Sequence, residues 1–234
     1  MPKMPASLST LDTTRLNELG QRLADQVLEV GINGKGPIKG ATQVADEHLA
    51  AAGGDADKAI RKLIATHVRL AAVSGFVTGA GGLVTLPIAV PAALTGLYVT
   101  ATRMVAGIAH LRGHDLHSEE VRSAVLVCLL GSSASTALGK AGVEIGQKSA
   151  LAALQKVPGR VLIDINKRIG FRLVTKAGEK GVINLTKLVP LVGAPIGATV
   201  DGVGCKAIST YALRTFEPVG ERGIVIVDAE IVPE

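Results

Sequence analysis

An uncharged run of 33 residues, from Leu70 to Thr102, constrains this chain more than any other feature. About 20 apolar residues are enough to cross a bilayer as one helix, so this run is long enough for a span or for a helical hairpin. Glycines at 79, 81 and 82, followed by Pro87 and Pro91, interrupt a single helix. The edges carry no belt of Trp and Tyr. We therefore expect two buried or partly embedded helices with a Gly-rich turn near residues 79–82, and a transmembrane pass is the second choice.

We expect some side chains of this segment to lean toward a membrane. All of them are apolar and lie near the Gly/Pro breaks. They are Phe76, Leu83, Leu86, Pro87, Pro91 and Leu94.

Small residues dominate the composition. The chain has 28 glycines but only 2% aromatic residues, with no Trp. Small residues recur every fourth position in several stretches, which places them on one stripe of a helix and lets two backbones approach closely. The sequence therefore predicts a core built by close helix packing. These stretches are Gly75/Gly79, Gly131/Ser135/Gly139, Gly142/Gly146/Ala150 and Gly193/Gly197.

Composition excludes several classes of protein. A chain that is 47% hydrophobic is too apolar for disorder, and two cysteines support neither a disulfide scaffold nor a Cys-only zinc site. Binding of single-stranded nucleic acid needs aromatic stacking platforms, which are nearly missing here, so we expect no nucleic-acid partner. The Gly-rich loop at 31–37 lacks the Gly-Lys-Ser/Thr ending of a phosphate loop.

Helical periodicity extends over most of the chain. Apolar positions spaced by three and four predict an amphipathic helix over 11–30, and further helices follow over about 56–73, 118–139 and 203–216. We expect an all-α fold, a compact bundle of roughly eight helices. We expect a single domain over residues 11–216, an N-terminal tail over 1–10 and an acidic, β-prone tail over 217–234.

Basic residues concentrate between residues 140 and 187, where ten Lys and Arg face only three acids. Such a segment indicates an anionic partner, and anionic lipid is our first expectation. An ordinary solvated helix face is the alternative. The candidate lipid- or anion-binding residues are Lys156, Arg160, Lys167, Arg168, Arg172 and Lys176.

Four blocks, taken in order, resemble the EcsC protein family over roughly residues 40–216. They are SGFVTGAGGLVTLPIAVPAAL at 74–94, RMVAGIAHLRGHDL at 103–116, VRSAVLVCLLG at 121–131 and GVINLTKLVPLVGAPIGATVDG at 181–202. The resemblance implies a largely helical and mostly bacterial protein without an established biochemical activity. It also implies a link to membranes or transport, because the family takes its name from an operon that encodes an ABC transporter. Where the family often has an acid after the second proline, this chain has Ala92-Ala93.

Catalytic and metal-binding signals are weak. His110 and His114 stand four residues apart, but Gly113 interrupts the helix there, so we expect no metal site. His67 and Ser74 are the candidates for a buried hydrolase site, together with Ser132-Ser133, yet no Gly-x-Ser-x-Gly elbow surrounds any of these serines. Arg103, which ends the uncharged run, is expected either to reach lipid headgroups or to pair with Asp201.

We therefore expect a non-enzymatic protein associated with membranes or lipids, linked to transport or envelope processes and without a cofactor. Its expected partners are an anionic membrane surface and, in addition, a transporter or another membrane protein. A soluble hydrolase and a helical interaction module for an ABC transporter are the alternatives. Because the N-terminus has no apolar run before a cleavage site, we expect a cytoplasmic, peripherally membrane-associated protein.

Overall fold

The computed structural model of the chain describes residues 13–80, 86–139, 142–143, 149–185 and 190–220. These residues form nine α-helices and a small antiparallel hairpin, so the predicted all-α bundle is confirmed. A turn of π-helix, Glu29–Asn33, follows the first helix, and a turn of 3₁₀-helix, Gly131–Ser133, follows the fifth. The strands are β1 (Gly34–Lys35) and β2 (Ile38–Lys39). The helices are α1 (Thr13–Leu28), α2 (Ala41–Ala51), α3 (Ala56–Ala80), α4 (Leu86–Leu111), α5 (Glu119–Leu129), α6 (Ala134–Gly139), α7 (Ala150–Leu154), α8 (Gly159–Leu185) and α9 (Pro190–Thr215).

Helix α4 lies at the centre of the bundle. It packs against α2, α3, α5 and α9, and residues 104–109 are all buried. The largest fully buried side chains of the described residues are Leu and Ile apart from Phe216 and Met104. The core is therefore built mainly from branched aliphatic and small residues, as the scarcity of aromatic residues predicts.

Several helix boundaries follow from local chemistry. Gly53 and Gly54 take φ angles of 71° and 86°, which side chains rarely adopt, and they end the turn before α3. Asp55 Oδ1 then accepts a hydrogen bond of 2.8 Å from the Lys58 amide, and Ser118 Oγ accepts one of 3.4 Å from the Val121 amide. Both side chains satisfy amides that the first turn of a helix leaves without a partner.

Two predicted helices have different bounds in the structure. The helix predicted over 56–73 continues for two more turns, to Ala80, because nothing in that stretch breaks the backbone ladder. The helix predicted over 118–139 is divided into α5 and α6, because Gly131 adopts a φ of 55°. The stripe Gly131/Ser135/Gly139 therefore does not form one continuous helical face.

The uncharged run forms parts of two antiparallel helices, as predicted, since α3 ends at Ala80 and α4 begins at Leu86. The predicted Gly-rich turn near 79–82 lies partly outside the described residues, and Gly79 belongs to α3. Pro91, which was expected to interrupt a helix, lies within α4. In the parts of the chain that the structure describes, no helix combines the length and the apolar character that a membrane crossing requires. The predicted tail at 1–10 and the β-prone residues 221–234 lie outside the described residues, and the single domain over 11–216 stays a prediction.

Candidate functional site

Three helices share an uncharged end. Helix α3 carries its last charge before this end at Arg69, and α4 carries its first charge at Arg103. In α9 no charge precedes Asp201. Helices α3 and α4 are antiparallel, because His67 of α3 is bonded to Arg103 of α4 and a Cβ at Gly107 would meet Leu63 at 2.9 Å. Arg69 of α3 and Arg103 of α4 therefore lie at nearly the same level.

Two glycines allow α3 and α9 to cross at backbone contact. A Cβ built on Gly75 would lie 2.7 Å from the carbonyl carbon of Gly197, and a Cβ on Gly197 would lie 3.0 Å from that of Gly75. Beyond the crossing, Gly202 faces Ala72 with room for ordinary contact at 3.4 Å. The close approach predicted from four-residue spacing is confirmed for Gly75 and Gly197, and the crossing brings the backbones of α3 and α9 into contact.

This surface exposes a set of large apolar side chains. Each of them is between 40% and 64% exposed, and all lie within six residues of Gly75 or Gly197 along their helices. On α3 they continue the exposed face of the helix that carries Lys62 and Arg69. On α9 they lie on either side of the Asp201-Gly202 pair. We call the set the apolar surface; it comprises Leu70, Val73, Phe76 and Val77 of α3 with Val200 and Val203 of α9. Exposed Arg69 and Lys206 border it.

The structure describes the side chain of one of the predicted membrane-leaning residues. Phe76 is half exposed and belongs to the apolar surface. Leu83 lies outside the described residues. Helix α4 includes Leu86, Pro87, Pro91 and Leu94, whose side chains lie outside the described set. Sequence reasoning missed the other five members of the apolar surface, although continuing the charged stripe of α3 past Arg69 by steps of three and four leads to Val73 and Phe76.

The predicted anion-binding residues gather largely on α8. Arg160, Lys167 and Arg168 are exposed on one face of this helix, which Asp164 shares. Lys156 is exposed in the turn after α7, and the side chain of Lys176 lies outside the described residues. Arg172 is half-buried and donates a hydrogen bond of 3.4 Å from Nη1 to the Ser133 carbonyl, so part of its role is structural.

His67 has both ring nitrogens engaged. Its Nδ1 lies 2.8 Å from the Leu63 carbonyl oxygen, and since a carbonyl only accepts, the hydrogen-bond network assigns the proton to Nδ1. Its Nε2 then accepts from Arg103 Nε at 3.2 Å. Burial, reinforced by the charge of Arg103, lowers the pKa of His67 to about 4 and keeps the ring neutral. Ser74 lies seven residues further along the same helix, about 10 Å away, so the two do not form a Ser–His pair.

Arg103 is held by two neutral groups. Besides His67, its Nη1 donates a hydrogen bond of 3.4 Å to the Lys39 carbonyl. Within the described part of the chain no ion pair joins Arg103 to Asp201, the partner that the sequence allowed. Burial lowers the pKa of the guanidinium from its ordinary value, which is too high for this to remove the charge at neutral pH.

Asp201 of α9 instead lies against Gly75 of α3. Its Oδ2 would lie 2.8 Å from a Cβ at Gly75. Burial, together with the negative charge of Asp201, raises the pKa of Tyr98 to about 12 and that of Cys205 to about 11. Asp201, which is partly exposed, therefore lies where α9 meets α3.

His110 and His114, the pair spaced by four residues, have separate hydrogen-bond partners. His110 Nε2 lies 2.8 Å from Asp46 Oδ1, and His114 Nε2 lies 2.7 Å from the Glu217 carbonyl. Across the described residues no group of three His, Cys, Asp or Glu side chains is placed to hold a metal ion.

Comparison with protein-family models matches residues 54–217 to the EcsC protein family. The chain belongs to this family. The EcsC match contains all of α3 through α9, and with them the apolar surface, Arg103 and the basic face of α8. Comparison with curated proteins and with solved structures gave no match.

Proposed function

We propose that this EcsC-family protein binds the surface of anionic membranes as a peripheral protein. The observation that supports the proposal is the apolar surface, where six large side chains from two helices are exposed at the uncharged end of the bundle. Exposed apolar patches of this kind mark interaction sites. The same end contains the long uncharged run of α3 and α4.

Charge favours lipid as the occupant of this surface. Arg69 and Lys206 border the apolar surface, and Arg160 and Lys167 are exposed on α8. Amphipathic helices bind membranes through buried apolar area and through attraction to anionic lipid, and each well-placed basic residue contributes about 1 kcal/mol. A protein partner would need acidic groups around an apolar footprint of the same shape, and nothing in the described residues favours that more elaborate occupant.

The proposed contact is made at the uncharged end of the bundle. Helices α3 and α9 pack on each other and on α4, and the apolar surface at this end would enter the boundary between headgroups and acyl chains without crossing the bilayer. We therefore expect carbonate or high salt to release the protein from membranes. Retention in the carbonate-washed pellet without aggregation would contradict the peripheral arrangement and favour insertion of residues 70–102.

Vesicle flotation tests the proposal directly. The intact chain should float with vesicles of phosphatidylcholine and phosphatidylglycerol, and more weakly with phosphatidylcholine alone. Binding should fall toward the neutral-vesicle value at about 1 M salt, where the Debye length is about 3 Å. Absence of binding to both vesicles would refute membrane association, and equal salt-independent binding would refute its electrostatic part.

Paired substitutions test which surface makes the contact. Replacing Val73 and Val203 by Ser removes apolar area from the proposed contact, and each change should cost about 1 kcal/mol, or about fivefold in affinity. Val219 is a matched control, because it is 61% exposed against 62% for Val73 but lies beside Arg112, at the opposite end of α4. Val219→Ser should leave vesicle binding unchanged. Equal losses from both sites would rule out the apolar surface as the contact.

The basic face of α8 is tested separately. Arg160→Gln with Lys167→Gln should weaken binding to anionic vesicles at low salt and leave binding to neutral vesicles unchanged. Arg172 is left intact, because its hydrogen bond to the Ser133 carbonyl would be lost with the charge. Unchanged affinity for anionic vesicles would remove α8 from the proposed interface.

A further inference from the structure

Arg103 is a partly buried cation without an acidic neighbour. It is half-buried, its Nε bonds to His67 and its Nη1 bonds to the Lys39 carbonyl. Among the described residues no carboxylate lies within ion-pair distance of it. A charge removed from water is costly unless an opposite charge compensates it.

The groups around Arg103 do not supply that compensation. The ring of His67 is neutral, and its Nε2 contributes only a lone pair. The ammonium group of Lys39 is itself a cation and is paired with Glu47, with 2.6 Å between Nζ and Oε1. The immediate surroundings of Arg103 therefore keep one uncompensated positive charge.

The guanidinium still has donors to offer. His67 uses Nε–H, and the Lys39 carbonyl uses one N–H of Nη1. Nη2 and the second N–H of Nη1 have no acceptor among the described residues, and neither atom is among the buried polar atoms that lack a partner. The edge formed by Nη1 and Nη2 is the one that grips carboxylate or phosphate with two parallel hydrogen bonds. The two neutral contacts hold the guanidinium in place from the opposite side.

The position of Arg103 matches the depth of a lipid headgroup. Because His67 and Arg103 are bonded, they mark the same level on α3 and α4. Leu70 and Val73 lie about 5 and 9 Å further along α3, toward the uncharged end. Apolar side chains of interfacial helices enter the boundary between headgroups and acyl chains by about 5–10 Å. With Leu70 and Val73 in that boundary, Arg103 would lie at the level of the phosphates, and Phe76 and Val77, about 14 and 15 Å along α3 from His67, would lie deeper among the acyl chains.

We propose that Arg103 binds the phosphate group of an anionic lipid through the Nη1–Nη2 edge when the apolar surface contacts the membrane. The site rests on the proposed membrane association and deepens it, because it assigns one defined contact to the headgroup. His67 is a positioning residue, since it holds the guanidinium and does not touch the lipid.

Substitutions separate a defined contact from general attraction. Arg103→Lys keeps the charge and removes the two-pronged edge, and Arg61→Gln removes an exposed charge of α3 that lies outside the proposed interface. The probe is vesicles of phosphatidylcholine and phosphatidylglycerol at a salt concentration that screens distant charges. We expect Arg103→Lys and Arg103→Gln to lower affinity about tenfold, and Arg61→Gln to have little effect. Wild-type affinity for Arg103→Lys would overturn the site while leaving membrane association intact.

A measurement on the unmodified protein guards against misfolded variants. The Nε–H resonance of Arg103 should shift on titration with a short-chain, soluble phosphatidylglycerol, and much less with inorganic phosphate. A shift with inorganic phosphate alone would identify a site for free phosphate and overturn the lipid assignment. No shift with either probe would overturn the site altogether. If the protein binds no vesicles, the proposed function fails, and the same titration still decides whether Arg103 binds phosphate.

Discussion

His67 should make the folded protein sensitive to acid. Its side chain is 1% exposed, and its pKa is lowered from the ordinary value of 6.5 to about 4, mainly by burial. Above pH 6.5 both the folded and the unfolded chain leave the ring neutral, so the folded state keeps its full stability. Between pH 6.5 and 4 the unfolded chain binds a proton that the folded chain does not bind. Stability therefore falls as the pH falls through this window and stops falling from this source below about pH 4.

The expected size of this effect is large for a single residue. One pKa unit corresponds to about 1.4 kcal/mol, so the separation of the two pKa values amounts to roughly 3 kcal/mol lost by pH 4. Typical domains are stable by only about 5–15 kcal/mol. Protonation of His67 would also place a second positive charge beside Arg103, because the proton would bind at Nε2, the atom that accepts the hydrogen bond from Arg103.

Urea unfolding followed by circular dichroism at several pH values between about 7 and 4.5 measures the effect. His67→Gln removes the titrating group while keeping a neutral side chain with an acceptor oxygen, so its stability should fall less steeply with pH. His117→Gln is the control, because His117 is exposed. Carboxylates contribute equally to all three proteins, and the difference between the curves isolates His67. Identical pH slopes for the wild type and His67→Gln would refute the reasoning.

Two further predictions test the packing. Gly197→Ala should destabilise the fold by roughly 1–3 kcal/mol in thermal unfolding, because its Cβ would meet the Gly75 backbone. Gly204→Ala in the same helix is the control, since a Cβ there has open space and should stabilise the fold by up to about 1 kcal/mol. Equal effects of the two substitutions would contradict the crossing. Burial raises the pKa of Cys128 to about 12 and that of Cys205 to about 11, so both thiols should react with a disulfide reagent only on unfolding, and rapid labelling of the native protein would show that they are accessible.

The sequence predicted the helical segments well because helical periodicity, like the caps and turns that bound a helix, depends on neighbouring residues. Ser118 and Asp55 act as caps through contacts three residues away, and Gly53-Gly54 ends its turn through its own φ angles. Long-range pairing was less accessible. Spacing does not encode which helix lies opposite. Among the described residues of the four small-residue stripes, Gly75 and Gly197 meet, whereas the equally close contact between Gly20 and Gly170 belongs to no predicted stripe.

The candidate site was predicted in part for the same reason. The uncharged run and the basic stretch can be read directly from the sequence. Whether Val73 is exposed or buried depends instead on where α9 lies. Arg103 was recognised as the end of the run, with headgroups or Asp201 as its partners. Its bond to His67 was missed, because that bond requires the register of α3 against α4, which no local pattern records.

The glycine crossing between α3 and α9 has a consequence for how the chain acquires its structure during synthesis. Its two glycines are separated by most of the helical region, so the contact closes a very long loop and counts among the most non-local in the protein. Folding slows as contacts become less local. A nascent chain that has completed α3 and α4 must wait for α9 before Gly75 finds its partner, and during that interval the side of α3 destined for α9 is open to other apolar surfaces. Association with chaperones or premature aggregation should therefore concentrate in this interval of translation.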